Sequence, residues 1–174
     1  NINDYIKARA LADSEALKFK CSDFTVYDSF EPQGNISKLL YAAAEKVRYE
    51  NIGSSYFKGI RENLNYLYEI KSKSKIDYKN SDYEFLDAFE YYLRSNILKS
   101  NKNKDLENRY KKFKKKLDSR LKEQLELLNN SLLDQKKFNS LISKIISQFK
   151  IDEIIESEKN EDNQKSNEGV ENKV

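Results

Sequence analysis

An all-α fold, a single domain of five or six helices, follows from three observations. Proline occurs once and glycine four times in 174 residues, so the turn punctuation of an all-β chain is nearly absent. Charged residues make up 35% of the chain against 38% apolar, the balance of solvent-exposed amphipathic helices. Apolar residues also recur at steps of three and four along most of the chain.

The first helix is expected over residues 3–20, where Ile6, Ala10, Ala16 and Leu17 recur at near-helical spacing and nothing breaks the run before Ser22. Residues 24–33 mix aromatics with Asp28, Glu31 and Pro32 and then reach Gly34, a composition suited to a loop. From Asn35 a stripe of Leu40, Ala43 and Val47, followed by Phe57, Ile60, Leu64 and Leu67, predicts further helix. Gly53 costs about 1 kcal/mol against alanine within a helix, so a bend or cap is expected there, in a hairpin or one kinked helix.

Ser81 and Glu84 have the form of a capping box opening a helix with Leu86, Phe89, Leu93 and Ile97 on one face. After a polar gap, Leu106, Tyr110, Phe113, Leu117, Leu121, Leu125 and Leu128 predict a long amphipathic helix of about six turns. Asn129, Asn130 and Ser131 interrupt it, and Asp134 is placed to cap a last helix carrying Phe138, Leu141, Ile142, Ile145 and Phe149. The helical domain is thus expected over residues 1–151. Residues 152–174, with acidic side chains from Asp152 to Glu171 among Asn, Gln, Ser and Lys, are expected to be a disordered acidic linker or tail.

Several functions are disfavoured. With Cys21 the single cysteine and no histidine, neither a disulfide framework nor a Cys/His zinc site can form, and Cys21 is expected to be a small, partly buried residue without a base. No run approaches the ~18 apolar residues of a membrane span and no signal-peptide core is present, so the expected location is cytoplasmic. The chain begins at Asn1 rather than methionine, as a fragment or trimmed product would.

Three groups of residues invite a site. Lys111, Lys112, Lys114, Lys115 and Lys116, with Arg109, Arg120 and Lys122, form a basic run; Tyr110 and Phe113 beside it lie on the apolar stripe, so a solvated face is expected rather than a nucleic-acid surface. Gly53 and Gly59 enclose five residues and Ile60 follows, whereas a phosphate loop needs four and then a lysine. The carboxylates of 152–161 suit a linker better than a cation site. No catalytic, cofactor-binding or metal-binding residue is assigned.

The stretch Glu45-Lys-Val-Arg48-Tyr-Glu50-Asn-Ile-Gly53-Ser-Ser-Tyr-Phe-Lys-Gly59-Ile-Arg-Glu-Asn63-Leu64 resembles the amino-terminal region of CobT-type cobaltochelatase subunits. That family shows E-x-x-R-x-E-x-x-G followed by G-x-x-x-N-L. Weaker similarities fall in the same order at Ala12-Asp13-Ser14-Glu15-Ala16-Leu17, at Asp87-Ala88 and Leu93-Arg94, and at Leu133-Asp134-Gln135 and Phe138, so that the resemblance spans residues 8–149. Ser55 and Phe57 stand where the family often has arginine and methionine.

The resemblance implies a part in aerobic cobalamin biosynthesis, as a non-catalytic subunit of an ATP-dependent ligase that inserts cobalt into a corrin ring. The implied partners are a AAA+ ATPase subunit and a large corrin-binding subunit; ATP, magnesium and cobalt belong to the assembled complex, none of them to this chain. The family's carboxyl-terminal von Willebrand A domain carries a D-x-S-x-S metal site, and no aspartate here begins that pattern. Glu45, Arg48 and Glu50 are the polar positions of most interest, with intrahelical pairing expected before an interface role. A free-standing helical interaction module without a chelatase role is the alternative.

Overall fold

The computed structural model describes residues 2–74, 76–98 and 103–149. The chain is all-α. Among the described residues there are nine α-helices, because expected segments divide and one expected loop is helical.

Helix α1 (Ile2–Cys21) buries Ala10, Asp13, Ser14 and Leu17, a face at steps of three and four that is half polar; Ala16, placed on the apolar face by the sequence, is exposed. The expected loop at 24–33 contains α2 (Phe24–Phe30). Asp23 caps it, accepting from the amides of Thr25 and Val26 at 2.8 and 3.2 Å, and satisfies donors that otherwise have no partner. Its end is set by Pro32, which disfavours helical backbone at Glu31; Glu31 is extended (φ −60°, ψ 124°). Gly34, at φ 93°, turns the chain into α3 with a backbone that residues bearing a Cβ rarely adopt.

Helix α3 (Asn35–Tyr56) is the axis of the fold, and Leu40, Tyr41, Ala44 and Val47 on it are fully buried. The expected bend at Gly53 is displaced to Phe57, whose extended backbone (φ −125°, ψ 103°) separates α3 from α4 (Lys58–Lys73). Gly53 stays helical because its role is a close approach: a Cβ there would lie 2.3 Å from the Leu17 methyls. The hairpin form is realised, since α4 returns along α3 until the Tyr68 ring lies 5.7 Å from Lys46 Nζ.

Helix α5 (Ser81–Ile97) is capped by Asn80, one residue before the expected Ser81, through a 2.9 Å bond from the Asp82 amide. It buries Phe85, Ala88, Phe89, Leu93 and Ile97. The long stripe from Leu106 to Leu128 is realised as α6 (Lys104–Arg109), α7 (Lys114–Leu121) and α8 (Leu125–Asn130), joined through 3₁₀ turns at Lys111–Phe113 and Lys122–Gln124. Tyr110, Leu117, Leu121 and Leu128 nevertheless all reach the core. Asp134 caps α9 (Gln135–Ser147) as expected, accepting from the Lys137 amide at 3.0 Å.

Side chains of α3, α5, α7, α8 and α9 build one apolar core, closed by Phe149 edge-on to Phe85 and Phe89. Helices α1 and α4 contribute nothing to that cluster. Helix α1 attaches to α3 through Ser14 on Glu50 and Leu17 against Gly53, and α4 through Tyr68 beside Glu50. No helix among the described residues is long and apolar enough to cross a membrane. The expected tail at 152–174 and the domain boundary before it lie outside the described residues.

Candidate functional site

Glu45, Arg48 and Glu50 are 4%, 1% and 0% exposed, so α3 carries three charges into the protein. Arg48 grips Glu45 with two bonds, Nε to Oε2 at 2.9 Å and Nη2 to Oε1 at 2.7 Å. Its remaining donors reach the carbonyls of Cys21 and Leu132. Glu45 accepts further bonds from Ser22 (2.6 Å) and Asn139 (2.8 Å). The intrahelical pair expected from the sequence is real, and it is also the knot that fastens the end of α1 and the α8–α9 turn to α3.

One turn along, Glu50 meets Arg94 of α5 and Ser14 of α1. The Arg94 guanidinium lies 3.5 Å from the centroid of the Tyr68 ring and donates to Glu90 at 3.1 Å. Tyr68 donates its hydroxyl to Glu90 at 3.0 Å. Burial pushes the Glu90 carboxyl up, but Arg94, Lys46 and Lys71 outweigh it and hold the group at about 2. Burial likewise raises the Tyr68 phenol far above its ordinary value, and Glu50 keeps Arg94 charged against its own desolvation. The shifts of Glu90, Tyr68 and Arg94 all move them away from neutrality, the behaviour of groups held in a buried ionic network.

Tyr68, Glu90 and Arg94 of this cluster line a cleft of about 550 Å³ between α4 and α5, with Asn103, Leu106 and Tyr110 also on its wall. The two helices are bridged across it by Tyr68 and by Lys71, which donates to Asp87 at 3.2 Å. Arg61 and Asn65 stand on its α4 wall.

Some of the other positions of the resemblance are architectural too, while Ala12, Glu15, Ala16 and Leu133 are exposed. Asn63 donates to Asp13 at 2.8 Å, tying α4 to α1. Gln135 donates to the Asp23 carbonyl and accepts from its amide, tying α9 to α2. Leu64, Ala88, Leu93 and Phe138 are buried, whereas Gly59 has open space at its Cβ position.

Lys111, Lys112, Lys114, Lys115 and Lys116 are exposed. Lys112 pairs with Glu84, and Lys116 lies over the Phe85 ring at 4.5 Å. Gly53 and Gly59 sit within helices rather than in a phosphate-cradling loop. Cys21 is partly buried, and burial raises its thiol. Among the described residues no group of three or more His, Cys, Asp or Glu side chains is placed to hold a metal ion; the carboxylates of 152–161 lie outside them. Sequence reasoning missed Tyr68, Lys71 and Glu90. The one available signal was the Glu90–Arg94 spacing of four, an ordinary helix-surface pattern that does not announce burial.

Comparison with known families matches residues 2–173 to the family described as cobalamin biosynthesis protein CobT. No solved structure matches the chain.

Proposed function

The chain belongs to the CobT family of cobalamin biosynthesis proteins, and from that premise we propose that it is a non-catalytic subunit, or a piece of one, of an ATP-dependent cobaltochelatase. In this reading its helical body docks onto a AAA+ ATPase subunit and a large corrin-binding subunit, in the cytoplasm. ATP and magnesium act on the ATPase, and cobalt is the substrate of the assembled complex.

The observation that carries the reading is the family match over nearly the whole chain. The geometry supports the non-catalytic part of it: Glu45, Arg48, Glu50 and Arg94, charged positions within the resemblance, are buried and paired as Glu45–Arg48 and Glu50–Arg94, as befits a scaffold.

Pull-down with the cognate ATPase and large subunit across a salt series tests the proposal. Contact through the exposed lysine run would collapse as ionic strength rises past the point where the Debye length is ~10 Å, about 0.1 M. Docking of packed helix faces persists through it, and that persistence is the expected result. Absence of a complex at every salt concentration overturns the proposal and leaves the free-standing module.

A further inference from the structure

We propose that the cleft between α4 and α5 binds a small organic anion, a carboxylate or phosphate attached to an apolar body, with Arg61, Asn65 and Ser54 holding the anionic group. The inference rests on the hydrogen-bonding capacity the cleft leaves unused and stands apart from the family reading.

The volume of about 550 Å³ lies in the range of small-molecule sites, which pair apolar walls with a few convergent polar groups. On α4, Arg61, Asn65, Tyr68 and Ser72 follow one another at steps of four, three and four and all face the cleft, as one helix face does. The carboxylates that line it are occupied: Glu90 by Arg94 and Tyr68, Asp87 by Lys71 and Tyr78, and Glu69 by Lys73.

The side chains of Arg61, Asn65 and Ser54 make no hydrogen bond or ion pair with any described residue. The spare capacity is therefore a guanidinium, a carboxamide and a hydroxyl, which is cationic and rich in donors. A guanidinium fork matches the paired oxygens of a carboxylate or phosphate. A divalent cation finds no free carboxylate there, while Leu64, Tyr91 and Leu106 supply the apolar wall.

The test is titration of the full chain, followed by amide NMR, with inorganic phosphate, phenyl phosphate and benzoate. We expect saturable shifts at Asn65, Tyr91 and Asn103, with at least one aromatic anion binding more tightly than inorganic phosphate. Phenyl phosphate ahead of benzoate identifies a phosphate ligand, and the reverse order a carboxylate. Arg61→Gln, at an exposed and unpaired position, is expected to weaken binding by about tenfold or more, the loss of one charge-assisted contact, with the rest of the spectrum unchanged. Lys115→Gln is expected to bind as the parent does. Shifts confined to residues 111–116, an Arg61→Gln chain that binds normally, or no saturation up to roughly 10 mM overturns the proposal.

Discussion

Glu45 and Arg48 stand three apart on α3, a spacing that contributes only ~0.2–0.5 kcal/mol on an exposed helix. Burial changes the scale. Loss of Arg48 leaves a desolvated carboxylate and strips the Cys21 and Leu132 carbonyls of their donor, so Arg48→Met is expected to cost about 3–5 kcal/mol. That is a large part of the ~5–15 kcal/mol typical of a domain. Urea unfolding of Arg48→Met, Glu45→Gln and the double variant checks it; a coupling of about 1–3 kcal/mol is expected, since the partners share one network. Strict additivity would show that the pair is not the unit described. The pairing was legible in the sequence, but its burial was not, because the closing partners arrive from 27 and 84 residues away. The same holds for the cleft: Arg61 and Asn65 give no sign in the sequence that α5 stands opposite them.

The apolar stripes of α3, α5 and α9 predict helix because burial on one face imposes that period, but the longest stripe, Leu106 to Leu128, keeps its buried face while two 3₁₀ turns divide the expected single helix into α6, α7 and α8. The reading failed where local chemistry competes with pattern. Helix α2 has seven residues, none of them fully buried, so it left no stripe, and its signals were the Asp23 cap and the Pro32 stop. Gly53 reads as a bend or cap because glycine is costly in a helix, whereas the structure uses it for contact with Leu17. The two helical glycines should therefore respond oppositely to alanine. At Gly53 the added methyl meets a buried leucine, and overpacking of about 1–3 kcal/mol exceeds the ~1 kcal/mol gain in helix propensity; Gly53→Ala is expected to destabilise. Gly59 faces open space, and Gly59→Ala is expected to stabilise by up to about 1 kcal/mol. Thermal melts of the two variants decide this, and a stabilised Gly53→Ala would remove the close approach as the reason for the residue.

Across the whole molecule α3 divides two kinds of cohesion. With α5 and α9 it builds the apolar core, although α5 also sends Arg94 to Glu50 and α9 sends Asn139 to Glu45; with α1 and α4 its contact is largely polar, Ser14 of α1 and Tyr68 of α4 meeting Glu50 beside Glu90 and Arg94. Composition announced the all-α class, but not this asymmetry, since the same charged residues on exposed faces would give the same totals. The asymmetry makes the fold sensitive to acid in one place. Glu90 is held at about 2 in the folded chain against an ordinary 4.5. A carboxylate with a depressed folded pKa stabilises the fold fully above its unfolded value, and that contribution fades as pH falls from 4.5 toward 2. The difference corresponds to something on the order of 3 kcal/mol. Urea midpoints should fall steeply over that window in the parent and less steeply in Glu90→Gln, which starts lower at neutral pH because Arg94 and Lys71 lose a partner. Parallel slopes would show that acid acts elsewhere. Protonation of Glu90 weakens its bonds to Tyr68 and Lys71, whereas the apolar contacts of α3, α5 and α9 do not titrate. Hydrogen exchange near the bottom of the window should therefore open α4, and α1 packed against it, before the other helices; equal loss of protection in all of them would contradict this division.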